Sequence, residues 1–225
     1  MIGVQSNLIH LIMTKDFKNL RKEYERAFLD ETKVNSDPFL QFDLWFTEAL
    51  QANVDEPNAM VLSTANLSGE VSARVVLLKG LELGMFTFFT HYGSRKGIVL
   101  AENPRAALTF HWKEVERQVR VEGIVTRISR AASRAYFSSR PRDSRISAMI
   151  SPQSCRIPDR AFLEALRKGA LLDLGDKEPE CPPDWGGYQL KPGLIEFWQG
   201  REHRLHDRIV YKRKGNAWTI ERLAP

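Results

Sequence analysis

The chain has 225 residues, 43% of them hydrophobic and 10% aromatic, which is enough to build the core of one domain and argues against intrinsic disorder. Lys and Arg outnumber Asp and Glu by 33 to 28, a net charge of +5 that is small for a nucleic-acid-binding protein but suits small anionic ligands such as phosphorylated metabolites. The two cysteines, Cys155 and Cys181, form no CxxC pair, so neither a metal site nor a disulfide framework is expected.

The first 35 residues predict an arm that precedes the main domain. Residues 1–15 lack the basic start and the long apolar run of a signal peptide or membrane span, so we expect a cytoplasmic protein with no membrane partner. Residues 17–31 are highly charged and carry apolar residues at helical spacing, which predicts a surface helix, either a lid or a packing arm. The next helix is predicted to begin at Pro38, after the capping residues Ser36 and Asp37, because its aromatic residues recur every three or four positions.

Beyond residue 58 the pattern favours β-structure. Residues that are β-branched or aromatic predict strands at 59–66, 71–79, 85–91, 105–112, 118–128, 194–198, 204–213 and 218–223. Helices are predicted at 94–103, 130–139, 143–150 and 158–168, and a connection rich in Pro and Gly at 179–187. Antiparallel strands with inserted helices indicate an α+β fold, in which residues 36–225 form a single β-barrel domain with peripheral helices.

The start of the predicted helix at residues 94–96 favours a phosphate site. Ser94 can cap this helix, and Arg95 and Lys96 follow at its positive end, where backbone N–H groups are also unpaired. Two cations at this end of a helix oppose its dipole, and a bound anion resolves the conflict. A plain basic surface, the alternative, would leave it unresolved.

A second group of donors follows on the next predicted helices. Tyr136 and Arg140 lie four residues apart on one helix, and Ser144 begins the next helix after the break at Pro141. Three donors can therefore converge on one anion near a helix N-terminus. Local capping around the helix break is the alternative, and it would require no ligand.

The strands also carry polar residues with a defined direction. Strand alternation would place Arg204, His206 and Arg208 on one face, and beside Trp198 this row suits a planar, anionic, aromatic ligand. The alternative is the solvated face of an edge strand. Gln118 is predicted on the polar face of its own strand, where an amide can both donate and accept.

Taken together, several of these segments resemble a known family. The run IEFWQ at 195–199, followed after four residues by RLHDR at 204–208, is similar to the C-terminal signature of the pyridoxamine/pyridoxine 5′-phosphate oxidases. RVVLLK at 74–79, GSRK at 93–96, ERQVRVEG at 116–123, YFSSRPRDS at 136–144 and the closing ERLAP extend the resemblance over about residues 21–225.

The resemblance implies an FMN-binding split barrel that oxidises pyridoxamine or pyridoxine 5′-phosphate to pyridoxal 5′-phosphate. It implies FMN as the cofactor and O₂ as the electron acceptor, with hydride passing from C4′ of the substrate to N5 of the flavin and hydrogen peroxide as the second product. It also implies a homodimer with two FMN molecules in clefts between the subunits, and residues 181–225 as the dimerisation and active-site segment.

The resemblance also assigns roles to individual residues. It implies Arg204 and His206 as catalytic or orienting residues. The FMN-binding residues it implies are Arg74, Val75, Val76, Leu77, Leu78, Lys79, Phe89, Thr90, Arg95, Lys96, Gln118, Gln153, Ser154, Trp198 and Arg208. The substrate-binding residues it implies are Arg21, Tyr24, Lys79, Tyr136, Arg140, Ser144, Arg204, Leu205 and His206. The sequence departs from the family at Phe89, where relatives have tyrosine, and at Pro152, where a lysine is common.

Two alternatives to this activity remain open at the level of sequence. Another FMN split-barrel oxidoreductase would keep Arg95, Lys96 and Trp198 but would have no reason to keep the donors of the second group, namely Lys79, Tyr136, Arg140 and Ser144. A protein that only binds FMN or pyridoxal phosphate would bind its ligand tightly and release no peroxide.

Overall fold

The computed structural model describes Tyr24 and residues 28–225. This part of the chain contains five α-helices, which are α1 (Pro38–Gln51), α2 (Arg95–Glu102), α3 (Arg130–Ser139), α4 (Arg142–Ile150) and α5 (Arg160–Leu174). It contains nine strands, which are β1 (Ala59–Ala65), β2 (Val71–Leu77), β3 (Gly80–Glu82), β4 (Met85–His91), β5 (Arg105–Trp112), β6 (Arg117–Arg127), β7 (Trp185–Gln199), β8 (Asp207–Lys214) and β9 (Ala217–Arg222). None of the described helices is long and apolar enough to cross a membrane.

All nine strands belong to one curled antiparallel sheet in the order β2-β1-β5-β6-β7-β4-β3, with β8 and β9 attached to β7. Strand β7 spans 15 residues and branches the sheet. Its first half pairs with β4, its second half pairs with β8, and β6 pairs along nearly its whole length. The predicted α+β fold with an antiparallel sheet and peripheral helices is confirmed.

The core lies between helix α1 and the concave face of the sheet. Asp37 caps α1 by accepting a hydrogen bond from a first-turn backbone N–H group, as the sequence predicts. The apolar stripe of the helix then packs on the strands, with Phe42 5.1 Å from Phe110 and Trp45 5.2 Å from Phe197 between ring centroids. Each such buried aromatic side chain contributes roughly 1.5–3 kcal/mol to folding, so α1 closes one side of the barrel.

The end of the predicted helix 17–31 differs from the sequence expectation. Residues 17–27, except Tyr24, lie outside the described residues, and residues 28–31 are irregular. Arg222 on β9 donates to the carbonyl of Leu29 at 2.8 Å, and Asp207 accepts from the Leu29 N–H at 3.1 Å. The backbone at Leu29 therefore bonds to β8 and β9 instead of continuing a helix, and the predicted C-terminal end at Glu31 was wrong.

The predicted strand at 204–213 begins three residues too early. Residues 202–204 form a short 3₁₀ turn in which His203 and Arg204 have φ of 55° and 61°. The Arg201 N–H donates to Nδ1 of His206 at 3.1 Å and closes the turn, and β8 begins at Asp207. Strand alternation therefore does not apply to Arg204, and that part of the face argument was wrong.

Other corrections concern elements that the pattern concealed. Strand β3 was not predicted, and β7 begins at Trp185, inside the segment 179–187 that the sequence suggested was a connection. Helix α5 runs to Leu174 rather than to residue 168. Strands β4 and β6 pair with β7 on its two sides. This pairing keeps the glycines at the start of β7 in a strand, although the sequence alone suggests a connection there.

Candidate active site

One cavity of about 670 Å³ opens between the ends of β2 and β4 and the helices α3 and α4. Its volume lies within the range of roughly 300–1,000 Å³ found for small-molecule sites. The residues that line it are Arg74, Val75, Val76, Leu77, Lys79, Phe89, Thr90, His91, Lys96, Tyr136, Arg140, Asp143, Ser144, Ser147, Ala148, Ser151, Gln153 and Trp185. The fold thus brings two predicted groups, at 74–96 and 136–144, around the same space.

Lys96 lies at one end of this cavity, in the first turn of α2. The side chain of Ser94 caps the helix by accepting from the N–H of Gly97. Nζ of Lys96 lies 3.1 Å from Oγ1 of Thr90 and 3.0 Å from Oε1 of Gln153. Burial lowers the pKa of Lys96, and the nearby cation of Arg74 lowers it further. The charged amine is therefore held against neutral oxygens.

Arg74, on β2, reaches the same end of the cavity. Its guanidinium donates to the carbonyl of Leu62 at 3.1 Å and to Oγ1 of Thr64 at 2.9 Å, and it also bonds Ser72. Burial lowers the pKa of Arg74, and Arg95 adds to the effect. Burial and neighbouring positive charge both disfavour the charged form of these side chains. A bound anion would stabilise that charged form.

Arg140 lies at the other end of the cavity, just after α3. Its guanidinium stands over the ring of Trp185 at 4.9 Å. Burial lowers the pKa of Arg140, although Tyr136 opposes this effect. Its Nη1 atom is buried and has no hydrogen-bond partner. Among the described residues, Nε of Arg145 is the only other buried side-chain nitrogen or oxygen atom without one. A buried donor without a partner is costly unless a ligand supplies the acceptor.

An aromatic stack forms the wall beside Arg140. The rings of Phe89 and Tyr136 lie 3.8 Å apart with an interplanar angle of 23°, and Trp185 lies 5.5 Å from Phe89 with an angle of 17°. Burial raises the pKa of Tyr136, so its hydroxyl stays protonated as a donor. Phe89 thus contributes a ring face to this wall.

Lys79 lines the cavity together with Arg74, which strand alternation does not predict. Strand alternation would place Arg74 and Lys79 on opposite faces, but β2 ends at Leu77 and the Lys79 N–H donates to the carbonyl of Thr87 at 2.8 Å. Once the strand has ended, period-two alternation no longer holds. Both cations therefore line one cavity.

The C-terminal group of predicted residues lies elsewhere on the subunit. The rings of Trp198 and His206 are 4.7 Å apart, and the ring of Tyr24 lies 5.8 Å from each of them. Arg208 is the strand partner of Trp198, with its Nε 2.9 Å from the carboxylate of Glu196. This aromatic cluster of Tyr24, Trp198 and His206 does not line the cavity.

Charge in the aromatic cluster is distributed unevenly. Burial lowers the pKa of His206, the cation of Arg204 lowers it further, and Asp207 opposes them. The side chain of Arg208 donates a hydrogen bond to Glu196, and this bond raises the pKa of Arg208.

Gln118 is the strand partner of Trp198 on the other side of β7. Val119 and Val121 of the same strand are fully buried, as the predicted polar face of Gln118 requires.

The remaining predicted residues take different places. Leu78 lies in the core, Arg95 and Ser154 are exposed beside the cavity without lining it, and Leu205 is 69% exposed. Arg21 lies outside the described residues.

Comparison with known families shows what kind of protein carries this cavity. Residues 46–166 match the family model described as pyridoxamine 5′-phosphate oxidase. The chain belongs to the pyridoxamine 5′-phosphate oxidase family. Residues 185–225 match a second model of these oxidases, described as the pyridoxine 5′-phosphate oxidase C-terminal dimerisation region.

Individual relatives support membership of this oxidase family. A pyridoxine/pyridoxamine 5′-phosphate oxidase of Burkholderia mallei is 54% identical over 210 residues, 92% of this chain and 98% of the relative. One of Cupriavidus metallidurans is 52% identical over 208 residues, with the same coverage. PhzG from Burkholderia lata 383, solved with tetrahydrophenazine-1-carboxylic acid, has a TM-score of 0.85 at 29% identity, over 91% of this chain and 100% of that one. A pyridoxamine 5′-phosphate oxidase-related, FMN binding protein from Nostoc punctiforme shares the fold, with a TM-score of 0.66 at 19% identity over 82% of this chain and 97% of that one.

As a member of the pyridoxamine 5′-phosphate oxidase family, the chain is an FMN-dependent oxidoreductase with a split-barrel fold. The residues at the Lys96 end fit a flavin phosphate, because two partly buried cations and a helix N-terminus meet there with neutral oxygens as their partners. The expectation of FMN as the cofactor is confirmed.

Six residues that line the cavity were missed by sequence reasoning, namely His91, Asp143, Ser147, Ala148, Ser151 and Trp185. His91 closes β4, and Trp185 opens β7 opposite it. The signal for His91 was its position two residues after Phe89 on a predicted strand. Trp185 stands before Gly186 and Gly187, where the glycines suggested a connection rather than a strand.

Proposed function

We propose that this chain oxidises pyridoxamine 5′-phosphate and pyridoxine 5′-phosphate to pyridoxal 5′-phosphate, with O₂ as the electron acceptor and hydrogen peroxide as the second product. The observation that carries this proposal is a single cavity with two separate groups of phosphate donors. Lys96 and Arg74 form the first group, and Arg140, Tyr136 and Ser144 form the second. One group suits the phosphate of FMN and the other suits the phosphate of the substrate.

The second group is what favours a phosphorylated substrate. The buried Nη1 of Arg140 lacks a partner, and a phosphate oxygen would satisfy it in a charge-assisted hydrogen bond. The Ser144 and Lys79 side chains line the same space and add donors. A flavin enzyme that acts on an uncharged substrate would gain nothing from burying this guanidinium.

We further propose that the active site is completed in a homodimer. The cavity lacks Trp198, His206 and Arg208, the residues that the family resemblance assigns to the flavin ring and the substrate ring. Residues 185–225, which contain all three, match a model described as a dimerisation region. A second copy that placed its aromatic cluster over this cavity would supply them.

Each group then has a distinct role in the proposed reaction. Bound flavin supplies the hydride acceptor. The Lys96 and Arg140 groups hold the two phosphates, so that both molecules are fixed at their charged ends. Arg204 and His206 orient the pyridine ring, and Tyr24, which packs on Trp198 and His206, covers them. The wall of Phe89, Tyr136 and Trp185 excludes water from one side.

A second candidate function is suggested by the similarity to PhzG, which was solved with a phenazine carboxylic acid. The stacked wall beside Arg140 would also accept a flat tricyclic ring with a carboxylate. Unlike a phosphate, a carboxylate offers two oxygens and would leave part of the Lys79, Tyr136, Arg140 and Ser144 donor group without an acceptor. This is why we favour the phosphorylated substrate.

The test is a comparison of substrates with one purified protein in air. Pyridoxamine 5′-phosphate, pyridoxine 5′-phosphate, pyridoxamine without phosphate and a dihydrophenazine carboxylate are supplied in turn, and both the oxidised product and peroxide are measured. We expect turnover of the first two and a much higher KM for unphosphorylated pyridoxamine. Turnover of the dihydrophenazine carboxylate alone would establish the second candidate, and flavin binding without peroxide from any substrate would indicate a storage protein.

A further inference from the structure

A histidine that lines the cavity and a carboxylate connect two strands at the Lys96 end of the cavity. Nε2 of His91, the last residue of β4, lies 2.9 Å from Oδ2 of Asp184, which directly precedes β7. The histidine side chain is 16% exposed and the aspartate side chain is 52% exposed. The backbone follows the same path, because the N–H of Tyr92 donates to the carbonyl of Asp184 at 2.5 Å.

The hydrogen bonds of His91 determine which tautomer it adopts. Its Nδ1 accepts from the backbone N–H of Gly93 at 3.1 Å, so this nitrogen carries no proton. The proton of the neutral ring is therefore on Nε2, where it is donated to Asp184. With both ring nitrogens engaged, the ring has one orientation, and the turn at residues 91–94 is held from two sides.

That turn sets the geometry of the first turn of α2. The carbonyl of His91 accepts from the N–H of Ser94 at 3.1 Å and from its Oγ at 2.7 Å. Ser94 is fully buried, and the same Oγ accepts from the N–H of Gly97 and from Nζ of Lys96, each at 3.3 Å. The position of Lys96 thus depends, through Ser94, on where His91 is held.

We propose that the His91–Asp184 pair is a positioning device for the phosphate of FMN. It fixes the turn that aims Ser94 and Lys96, and it acts through that turn, although His91 itself also lines the cavity. The inference rests on the proposed placement of the FMN phosphate at Lys96. A pair that served only to stabilise the fold would affect the binding of every flavin equally, whereas a phosphate-positioning pair affects only flavins that carry a phosphate.

FMN and riboflavin differ in that phosphate and therefore separate the two roles. Full-length protein loaded with either flavin is diluted serially, and the released flavin is measured by its fluorescence to give the Kd. We expect His91→Phe to raise the Kd for FMN by about tenfold or more, the effect of losing a hydrogen bond to a charged group. The Kd for riboflavin should stay at its wild-type value.

Three further variants dissect the pair. His91→Asn keeps an acceptor for the Gly93 N–H but cannot reach Asp184, so we expect it to lose FMN affinity as His91→Phe does. Asp184→Asn keeps an acceptor for Nε2 and should retain most of the FMN preference, whereas Asp184→Ala should lose it. Retention of wild-type FMN affinity in both His91→Asn and Asp184→Ala would overturn the inference, and so would an equal loss for both flavins.

Lys96→Met separates failure of this inference from failure of the underlying site. If the wild-type protein binds FMN and riboflavin equally, or if Lys96→Met leaves the preference for FMN intact, the phosphate lies elsewhere and the proposed site is wrong. If Lys96→Met abolishes the preference while His91→Phe and Asp184→Ala keep it, the site stands and only the positioning role is lost. Should His91→Phe fail to fold, the two Asp184 variants decide the question.

Discussion

Two pairs of cationic side chains in this protein differ in the groups that they bind. Arg208 and Arg222 bind carboxylates, and these hydrogen bonds raise the pKa of both. Lys96 and Arg74 bind only hydroxyl, amide and carbonyl oxygens among the described residues, and burial lowers the pKa of both. Carboxylates balance the charge of the first pair within the subunit, and the second pair leaves positive charge available for a ligand.

Arg140→Leu tests the second group of proposed phosphate-binding residues. Removing a charged hydrogen-bond donor should raise the KM for pyridoxamine 5′-phosphate roughly tenfold to a hundredfold. The Kd for FMN should hardly change, because Arg140 lies at the other end of the cavity from Lys96. Steady-state kinetics and flavin fluorescence measure the two quantities, with Arg160→Leu, an exposed helix position, as the control. A lost flavin with a normal KM would reverse the assignment of the two groups.

Arg204→Met tests the role of the 3₁₀ turn before β8. If Arg204 aligns the substrate over the flavin, kcat/KM should fall by about 10² or more, since alignment is worth that much. FMN should remain bound, because Arg204 lies near His206 and not at the Lys96 end of the cavity. The flavin absorbance of the purified variant provides the control. A rate equal to wild type would remove Arg204 from the active site.

The lowered pKa of His206 makes a prediction about pH. Burial and the cation of Arg204 both favour the neutral ring, so His206 should titrate below the usual value of about 6.5. If the neutral ring binds substrate, kcat/KM should decrease on acidification with a midpoint below 6.5, the usual pKa of histidine. In Arg204→Met one cause is gone, so the pKa should rise and the acid limb should move to higher pH. NMR titration of the imidazole checks the shift directly, and an unchanged titration in the variant would contradict it.

At the level of elements, the junction of β6 and β7 determines how the sheet curls. The register shifts between Glu122 and Gly123, so that Gly193 is the extra residue of a β-bulge. A Cβ atom on Gly123 would lie 2.1 Å from the carbonyl oxygen of Lys191, a backbone atom that cannot move aside alone. This close approach lets β7 bend and pair with both β4 and β8.

Gly123→Ala should therefore be destabilising. Overpacking of this kind typically lowers the free energy of unfolding by about 1–3 kcal/mol, and denaturant titration measures it. Gly193→Ala is the matched control from the same bulge, because its Cβ would lie 4.0 Å from the nearest atom, the Glu122 oxygen. Equal stability of the two variants would show that the bulge can relax.

For the whole molecule, we expect the second subunit of the proposed homodimer to cover an apolar groove of the sheet. It is lined mainly by residues of β1, β5, β6 and β7, and it includes Val71, which is 80% exposed, and Ile124, which is 41% exposed. Exposed apolar surface of this kind marks an interaction site. A second copy bound here would account for the separation of the cavity from the aromatic cluster on a single subunit.

Ile124→Asp tests that arrangement. A carboxylate placed in an apolar interface costs about 2 kcal/mol or more, which weakens association more than tenfold. We expect sedimentation to show subunit dissociation, together with weaker FMN binding and lost activity. Leu83→Asp, which changes a 95% exposed leucine on the turn between β3 and β4, is the control. An intact assembly in Ile124→Asp would place the interface elsewhere, and full activity in dissociated subunits would contradict a shared active site.

The sequence by itself predicted much of the local structure and many of the residues that line the cavity. Periodicity and caps located α1, β4, β5 and α3 within a residue or two, because their signals are short-range. Motifs indicated the family, the cofactor and both groups of predicted phosphate-binding residues. Local pattern failed at the turn before β8, where a hydrogen bond to His206 overrides strand alternation, and at Trp185, where two neighbouring strands convert an apparent connection into β7.

The tertiary structure alone decided how these pieces meet. Sequence spacing does not reveal that Lys79 and Arg74 line one cavity, since that depends on where β2 ends. It does not reveal the His91–Asp184 pair, whose members lie 93 residues apart in sequence and meet only because β4 pairs with β7. Contacts between distant residues follow from sheet pairing and packing, to which local propensity is blind, and here they determine which charges remain available for a ligand.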